Sequence, residues 1–291
     1  MKFITTNIWK KSRDNMKRKI GIMIVLLFLS TFFSIAEARN TIMVTAATGS
    51  LGNAICEQLA LEGYDLLIAG RNPEKIDALR KMLTSKYQEV HVQSVIIDFS
   101  DTKTIEDAAK QVSPDSIKGI VLIGPRPLLS KNGIPDKSEW AKIFAETFIA
   151  PLEVVRLFRP HLQDNSSIVV ISGNSSKNYM PSYPNTNVIR LAWTGEVKNL
   201  AHFFGGRKIR VNAISPGVIL TQHHIERIKI QADSNNITFQ EQLAKETAAV
   251  PLKSYGKTED LGNLISFLLS AKSTHLNGTN TLLDGGESNA Y

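Results

Sequence analysis

Residues 41–63 read "TIMVTAATGSLGNAICEQLALEG", and they join an apolar run to an amphipathic segment through a turn that contains glycine. The run "TIMVTAA" is typical of a buried strand, and "NAICEQLALEG" is typical of a helix that stops at Gly63. The turn between them, "TAATGSLG" at residues 45–52, can bring backbone N–H groups close to an anion at the positive end of a helix. Such a turn is a weak signal by itself, so the rest of the chain has to decide the fold.

The same alternation of strands and helices continues to the end of the chain. Further strand-like runs are "YDLLIAG", "VHVQSVIID", "IKGIVLIG", "SSIVVISG", "KIRVNAISPG" and "TNTLLDGG". Helical stretches separate them, including the long segment "WAKIFAETFIAPLEVVRLFRPHL". Parallel strands need crossover connections, which helices supply, so we predict an α/β fold with a doubly wound parallel sheet in a single domain, residues 39–291.

Residues 1–38 have the composition of an N-terminal signal peptide or membrane anchor. The basic stretch "MKRK" at 16–19 precedes 17 residues without charge and then "AEA" at 36–38. The apolar stretch is also at the lower limit for a membrane span, so cleavage and anchoring both stay open. The protein is expected to be exported or membrane-anchored, in the periplasm if bacterial, with a cytoplasmic location as the alternative.

The net charge of +7 lies almost entirely in this N-terminal segment. Residues 1–40 carry eight Lys or Arg against two acidic residues, which leaves +1 for the remaining 251 residues. The body is therefore nearly neutral, and we expect no nucleic-acid partner and a membrane contact only through the N-terminal segment. The single cysteine, Cys56, excludes an intrachain disulfide.

Three later features strengthen the interpretation of the glycine turn as a dinucleotide site. Arg71 closes the second strand where an acidic residue would bind a free ribose hydroxyl, so a 2′-phosphate is favoured. Asp98 ends the third strand, where a carboxylate can meet an adenine amino group. The block "RVNAISPGVILT" carries Asn212, Pro216, Gly217 and Thr221 in an order typical of a nicotinamide site. The residues predicted to bind the cofactor are Thr45, Gly49, Ser50, Leu51, Gly52, Arg71, Asp98, Asn187, Pro216, Gly217 and Thr221.

From Thr41 to the "LLDGG" at 282–286, the chain resembles the short-chain dehydrogenase/reductase family, in a divergent branch similar to 3-oxoacyl-carrier-protein reductases. The tail "VPLKSYGKTEDLGNLISFLLS" followed by "LNGTNTLLDGG" carries the resemblance more specifically than the glycine turn, where Ala46 and Ser50 stand in two glycine positions. The resemblance implies a Rossmann fold and bound NADP, with NAD possible. It also implies a small-molecule carbonyl or alcohol substrate and a homodimer or homotetramer.

The family's catalytic asparagine, serine, tyrosine and lysine can be placed on this chain through the resemblance. The asparagine position falls on Thr147, the tyrosine on Tyr183 and the lysine on Asn187. The serine position falls on Ser172 or Gly173, with Ser175 nearby and the interval to the tyrosine two residues shorter than usual. The resemblance thus implies catalytic roles for Tyr183, Ser172, Asn187 and Thr147, although the lysine itself is replaced.

Loss of the lysine hinders alcohol oxidation more than carbonyl reduction, because a neutral phenol can still donate a proton. Asn187 could keep hydrogen bonds to the ribose hydroxyls without supplying charge. Arg190 is seven residues after Tyr183, so on a helix the two share a face with Asn187. Either Arg190 replaces part of the missing positive field, or it pairs with a carboxylate at a helix interface.

Other polar residues receive plainer interpretations. His223 and His224 lie in a segment of roughly thirty residues where the family places a substrate lid, and no accompanying ligand set indicates a metal. Tyr179 lies in a loop-like stretch and is expected to pack or to line the substrate site.

The sequence leaves three functions open. The first is an NAD(P)-dependent oxidoreductase, most simply an NADPH-dependent reductase of a carbonyl with Tyr183 as proton donor. The second is a catalytically silent homologue that binds a dinucleotide or another ligand. The third is an exported binding protein that no longer holds a nucleotide, since the far side of a bacterial membrane offers little NADPH.

Overall fold

A computed structural model of the chain describes residues 40–127, 134–181 and 183–289, and its centre is a parallel sheet of seven strands. The order across the sheet is β3-β2-β1-β4-β5-β6-β7. The strands are β1 (Thr41–Val44), β2 (Asp65–Gly70), β3 (Val92–Ile96), β4 (Ile117–Ile123), β5 (Leu162–Ile171), β6 (Arg210–Pro216) and β7 (Asn280–Leu283). The chain reverses its direction of travel across the sheet between β1 and β4, so a crevice opens at the carboxyl ends of these strands.

Helices cover both faces of the sheet. They are α1 (Ser50–Leu61), α2 (Pro73–Lys86), α3 (Thr102–Lys110), α4 (Lys137–Phe144), α5 (Ala150–Phe158), α6 (Pro184–Phe204), α7 (Gln222–Ser234), α8 (Phe239–Glu246) and α9 (Thr258–Leu269). One apolar cluster holds α1, α2 and α9 against the sheet, and a second holds α3, α5 and α6 against the other face. Strands buried on both sides explain why the sequence runs are continuously apolar.

The predicted α/β fold with a parallel sheet is confirmed, and two helical details differ from the sequence prediction. Helix α2 was not among the predicted elements, although Pro73 at its first turn and Asn72, whose side chain accepts from Lys75 N, are ordinary start signals. The long predicted helix is divided into α4 and α5 by a π-helical turn at Ala145–Ile149. Single π turns inside helices are frequently found at functional sites.

The described residues belong to one compact unit, Asn40–Tyr291. The predicted signal or anchor at residues 1–38 lies outside the described residues. Within the described ranges, no helix has both the length and the apolar character that crossing a membrane requires.

Candidate active site

A cavity of about 350 Å³ opens at the carboxyl end of the sheet. It extends from the start of α1, past the ends of β5 and β6, to the start of α7. Its lining includes Ser50, Leu51, Arg126, Ser172, Gly173, Asn174, Ser175, Met180, Tyr183, Thr186, Arg190, Pro216, Gly217, Val218, Ile219, Thr221, His223, His224 and Glu287. Seven of the residues predicted for catalysis or cofactor binding are therefore around one cavity: Ser50, Leu51, Ser172, Tyr183, Pro216, Gly217 and Thr221.

The glycine turn forms the first wall of this cavity. Gly49 precedes α1, and no side chain caps the first N–H groups of that helix. Ala46 has a positive φ of 46°, the conformation that glycine adopts more easily. A Cβ atom on Gly52 would lie 2.4 Å from the Ala46 carbonyl oxygen, so only glycine lets the helix sit this close to the turn. The turn thus leaves unsatisfied N–H groups facing outward at a positive helix end.

Thr45 supports this wall from within the sheet. Its hydroxyl donates to the Ile123 carbonyl oxygen at 2.9 Å and accepts from the Ile123 N–H at 2.7 Å. The side chain is fully buried and joins the ends of β1 and β4. Its contacts therefore position the turn, while its predicted direct contact with a cofactor stays a prediction.

Arg71 and Asp98 lie together beyond the ends of β2 and β3. Hydrogen bonds from the N–H and hydroxyl of Ser100 hold the pKa of Asp98 below its usual range, and the nearby Arg71 guanidinium lowers it further. Arg71 is exposed, and among the described residues it forms no ion pair shorter than 4 Å. An exposed guanidinium at this strand end is suited to a phosphate.

The end of β6 supplies the opposite wall. A Cβ atom on Gly217 would lie 2.9 Å from Asp284 Cβ, so the absence of a side chain lets the C-terminal segment approach. Thr221 begins α7, and its hydroxyl is 2.9 Å from His224 Nδ1. Asn212 instead braces the sheet, since its amide bonds Leu276 and Thr279.

Tyr183 stands at the N-terminal end of α6 and faces the cavity. Its backbone N–H donates to Met180 O at 3.0 Å, and its carbonyl oxygen accepts from Asn187 N at 3.1 Å. The ring is half-buried, and the hydroxyl has no hydrogen-bond partner among the described residues. These contacts hold the backbone of Tyr183 and leave its phenol available to a ligand.

Two other hydroxyl groups beside the cavity are buried without a hydrogen-bond partner in the described parts of the chain. They belong to Ser172, directly after β5, and to Thr186, one turn after Tyr183. A buried unpaired hydroxyl is unfavourable, and in native proteins such a group calls for a specific explanation. A ligand oxygen in the cavity would supply the missing partner, which is consistent with the predicted role of Ser172.

Asn187 and Thr147 are not among the residues that line the cavity. Asn187 Nδ2 donates to Met180 O at 3.1 Å, and Asn187 Oδ1 accepts from Met180 N at 3.3 Å. Thr147 lies in the π turn, where its hydroxyl donates to Ile143 O at 2.5 Å and its carbonyl oxygen accepts from Trp193 Nε1 at 3.1 Å. In this structure both residues bind neighbouring backbone instead of lining the cavity, and the roles predicted for them stay predictions.

Arg190 places a cation at the back of the cavity. Its Nη1 atom donates to Ile171 O at 3.1 Å, and no described carboxylate lies within 4 Å of it. Burial, with a smaller effect from Arg126, lowers its pKa to about 10, so the guanidinium remains charged at neutral pH. Arg190 therefore lines the same cavity as Tyr183 and has no carboxylate partner among the described residues, while its effect on Tyr183 stays a prediction.

Arg126 is a cavity residue that the sequence analysis did not single out. Its Cζ atom lies 5.7 Å from the centroid of the Tyr183 ring, and its side chain is exposed. The signal in the sequence was limited to its place three residues after β4, at the edge of the sheet where ligands bind in this class of fold.

The paired histidines occupy the start of α7. Burial, helped by Arg227, His223 and Arg126, lowers the pKa of His224 below 6.5, so its imidazole is neutral at neutral pH. Within the described ranges, no group of three or more His, Cys, Asp or Glu side chains is arranged to hold a metal ion.

Together these residues fit a dinucleotide with a reactive ring at the Tyr183 end. The uncapped start of α1 suits a pyrophosphate, the exposed Arg71 suits a ribose phosphate, and the unpaired hydroxyl of Ser172 suits a substrate oxygen. Both hydrogen bonds from Ser100 go to Asp98 Oδ1, so Oδ2 could accept from an adenine amino group, and the predicted adenine contact stays a prediction.

Comparison with known proteins gives matches over nearly the whole body. Residues 45–288 match the enoyl-(acyl carrier protein) reductase family. The NADPH-dependent reductase BacG of Bacillus subtilis is 24% identical over 257 residues, which cover 86% of this chain and 98% of BacG. The 3-oxoacyl-[acyl-carrier-protein] reductase FabG of Rickettsia bellii is 26% identical over 254 residues, 85% of this chain and 96% of its own length.

Solved structures give the same fold. L-sorbose reductase from Gluconobacter frateurii, complexed with NADPH and L-sorbose, superposes with a TM-score of 0.79 at 22% identity, covering 87% of this chain and 98% of the reductase. An NADPH-bound short chain oxidoreductase from Pseudomonas aeruginosa, described as containing an atypical catalytic center, superposes with a TM-score of 0.76 at 21% identity over 87% and 98% of the two chains.

Proposed function

The chain belongs to the short-chain dehydrogenase/reductase family, and from that premise we propose that it reduces a carbonyl group to an alcohol with NADPH. The observation that carries the proposal is the convergence of Tyr183, Ser172 and Arg190 on one cavity that begins at the uncapped N-terminus of α1. BacG and the L-sorbose reductase, which use NADPH by their names, support the choice of cofactor.

The reaction needs a hydride and a proton, which become the C–H and O–H of the alcohol. Bound NADPH would supply the hydride. Tyr183 donates its phenolic proton to the carbonyl oxygen as negative charge develops there. The Ser172 hydroxyl donates a hydrogen bond to the same oxygen and so orients the carbonyl. Both side chains line the cavity, and the buried Ser172 hydroxyl has no hydrogen-bond partner in the described parts of the chain.

Arg190 supplies the positive field that the missing lysine would have provided. Its charge stabilises the phenolate left on Tyr183 after proton transfer, so the proton moves more easily. The hydrogen bond to Ile171 holds the guanidinium at the end of β5, next to Ser172 in the chain. Asn187 acts indirectly. Its amide group binds the backbone of Met180, and the Met180 carbonyl oxygen accepts a hydrogen bond from Tyr183 N.

The preference for NADPH over NADH rests on Arg71. A 2′-phosphate can form charge-assisted hydrogen bonds with an exposed guanidinium at this strand end, whereas a 2′-hydroxyl would gain little from it. NAD therefore remains a weaker alternative for the same site.

A catalytically silent homologue is the alternative that a specific observation favours. Thr147 and Asn187 stand where the family has its asparagine and lysine, and both are engaged with neighbouring backbone. A protein that kept only its cofactor-binding residues would still bind NADPH through the start of α1, Arg71 and the end of β6.

The test is a titration of the purified full chain with NADPH and NADH, followed by NADPH oxidation with a panel of aldehydes, ketones and oxo acids. We expect NADPH to bind more tightly than NADH and at least one carbonyl to be reduced. Tight binding with no oxidation across the panel would favour the silent homologue. Absence of binding to either nucleotide would reject the reductase and leave only a role that does not use a nucleotide.

Two further proposals concern the protein's setting. The basic and apolar composition of residues 1–38 supports export or anchoring, and a reporter fused to the C-terminus would be active outside the cytoplasm only if that is right. The family supports a homodimer or homotetramer, which the molecular mass in solution would test.

A further inference from the structure

The proposed active site contains a second guanidinium, that of Arg126. The reduction of a simple ketone does not require it. Arg126 lies over the ring of Tyr183, with its Cζ atom 5.7 Å from the ring centroid. No carboxylate in the described ranges pairs with it, and its charge contributes to lowering the pKa values of Arg190 and His224.

This arrangement concentrates positive charge in the cavity that Tyr183 faces. Arg126 and Arg190 repel each other, and the attraction of a cation to a half-buried aromatic face is weak. Glu287 is the carboxylate among the described lining residues, and its Oε2 atom accepts from Asn174 Nδ2 at 2.9 Å. An anionic group on the ligand would compensate the charge of Arg126 and relieve the repulsion.

The position of Arg126 favours the substrate over the cofactor as the source of that anion. The places suited to phosphate are at the start of α1 and at Arg71, whereas Arg126 lies at the Tyr183 end, where the carbonyl must bind. Ser50 and Pro216 line the same cavity of about 350 Å³, so the cofactor takes part of this volume and the space beside Tyr183 suits a small substrate. A guanidinium matches the planar fork of a carboxylate, and a single negative charge suffices to balance it.

We propose that the substrate is a small oxo acid, whose carboxylate binds Arg126 while its carbonyl oxygen meets Tyr183 and Ser172. The inference rests on the proposed function and names its substrate class. The product is the corresponding hydroxy acid: the carbonyl carbon gains the hydride of NADPH, the oxygen gains the proton of Tyr183, and the carboxylate is unchanged.

The test compares 2-oxo and 3-oxo acids with their methyl esters, which keep the carbonyl and lose the negative charge. Wild-type protein should have a kcat/KM about 10- to 100-fold higher for an acid than for its ester, the effect of one charged hydrogen-bonded pair. Arg126→Ala should abolish this ratio mainly through KM, and Arg126→Lys should retain part of it. Arg80→Ala, in an exposed pair with Asp77 on α2, is the matched control that should keep the wild-type ratio.

The dissociation constant of NADPH, measured for each variant, shows whether Arg126 binds an anion of the substrate or of the cofactor. Thermal unfolding shows that each variant is folded. If Arg126→Ala weakens NADPH binding and lowers kcat/KM equally for acid and ester, Arg126 binds the cofactor and the inference fails. Equal kcat/KM of acid and ester in the wild type would also overturn it, while the reductase function would stand. If no carbonyl is reduced at all, the proposed function fails and the substrate class with it.

Discussion

The Nη1 atom of Arg190 donates a hydrogen bond of 3.1 Å to the carbonyl oxygen of Ile171, the last residue of β5. This bond ties the middle of α6 to the strand end that carries Ser172, and it brings a half-buried cation to the cavity that Tyr183 faces. We propose that this charge replaces the one that a lysine at position 187, here Asn187, would supply.

Arg190→Gln tests this assignment, because glutamine can keep a hydrogen bond to Ile171 without carrying charge. We expect kcat to fall by about 100-fold, the lower range for a lost proton-transfer aid, with little change in the NADPH dissociation constant. Arg190→Lys should retain much of the turnover. Unchanged turnover and cofactor affinity in Arg190→Gln would show that the residue is only structural.

Ser172→Ala should separate activity from stability. The Ser172 hydroxyl is buried without a partner in the described parts of the chain, so its removal should leave thermal stability unchanged or slightly raised. Turnover should fall by about 10- to 100-fold, since one hydrogen bond to the developing charge is lost. Ser167→Ala is the opposite control: its hydroxyl donates to Leu268 O at 2.8 Å, so it should lose about 1 kcal/mol of stability and keep its activity. A Ser172→Ala protein with full activity would contradict the assignment.

Arg71→Ala is expected to change the choice between the two nucleotides. NADPH should bind about 10- to 100-fold more weakly, because a charged pair with the 2′-phosphate is lost, and NADH should bind as before. Isothermal titration with both nucleotides measures the two effects side by side. An equal loss for NADPH and NADH would show that Arg71 does not contact the 2′-phosphate.

Burial of His224 predicts a stability change in mild acid. Its pKa is lowered in the folded protein, mainly by burial, so the unfolded chain binds a proton more readily below pH 6.5. The contribution of neutral His224 is therefore fully present above its unfolded pKa and is lost as the pH falls from 6.5 to the folded pKa. In denaturant unfolding, His224→Gln should lose less stability than the wild type over this range. Parallel stability curves for the two proteins would contradict this prediction.

The sheet could be predicted because each buried strand is a short apolar run between helices, and all seven runs pair in parallel. Helix α2 was missed although it has ordinary start signals in Asn72 and Pro73, because its 14 residues carry only three buried apolar positions. The π turn was not predictable, since the apolar spacing around Ala145–Ile149 is also that of a continuous α-helix.

The part of the site that could be predicted consists of residues in family motifs. Tyr183 and Ser172 could be placed by the motif of the family, and both line the cavity. The partners of Asn187 depend on the path of the loop at Met180, which no local pattern specifies. Arg126 could not be found from spacing, because its contact with the Tyr183 ring joins residues that are far apart in the sequence.

Single-turnover NADPH oxidation by wild-type protein and by Tyr183→Phe tests whether Tyr183 donates the proton. Both proteins should bind NADPH with similar dissociation constants, and the variant should oxidise it at least about 100-fold more slowly with the best carbonyl substrate. Equal single-turnover rates in the two proteins would contradict the account, because the reduction would then proceed without the Tyr183 hydroxyl.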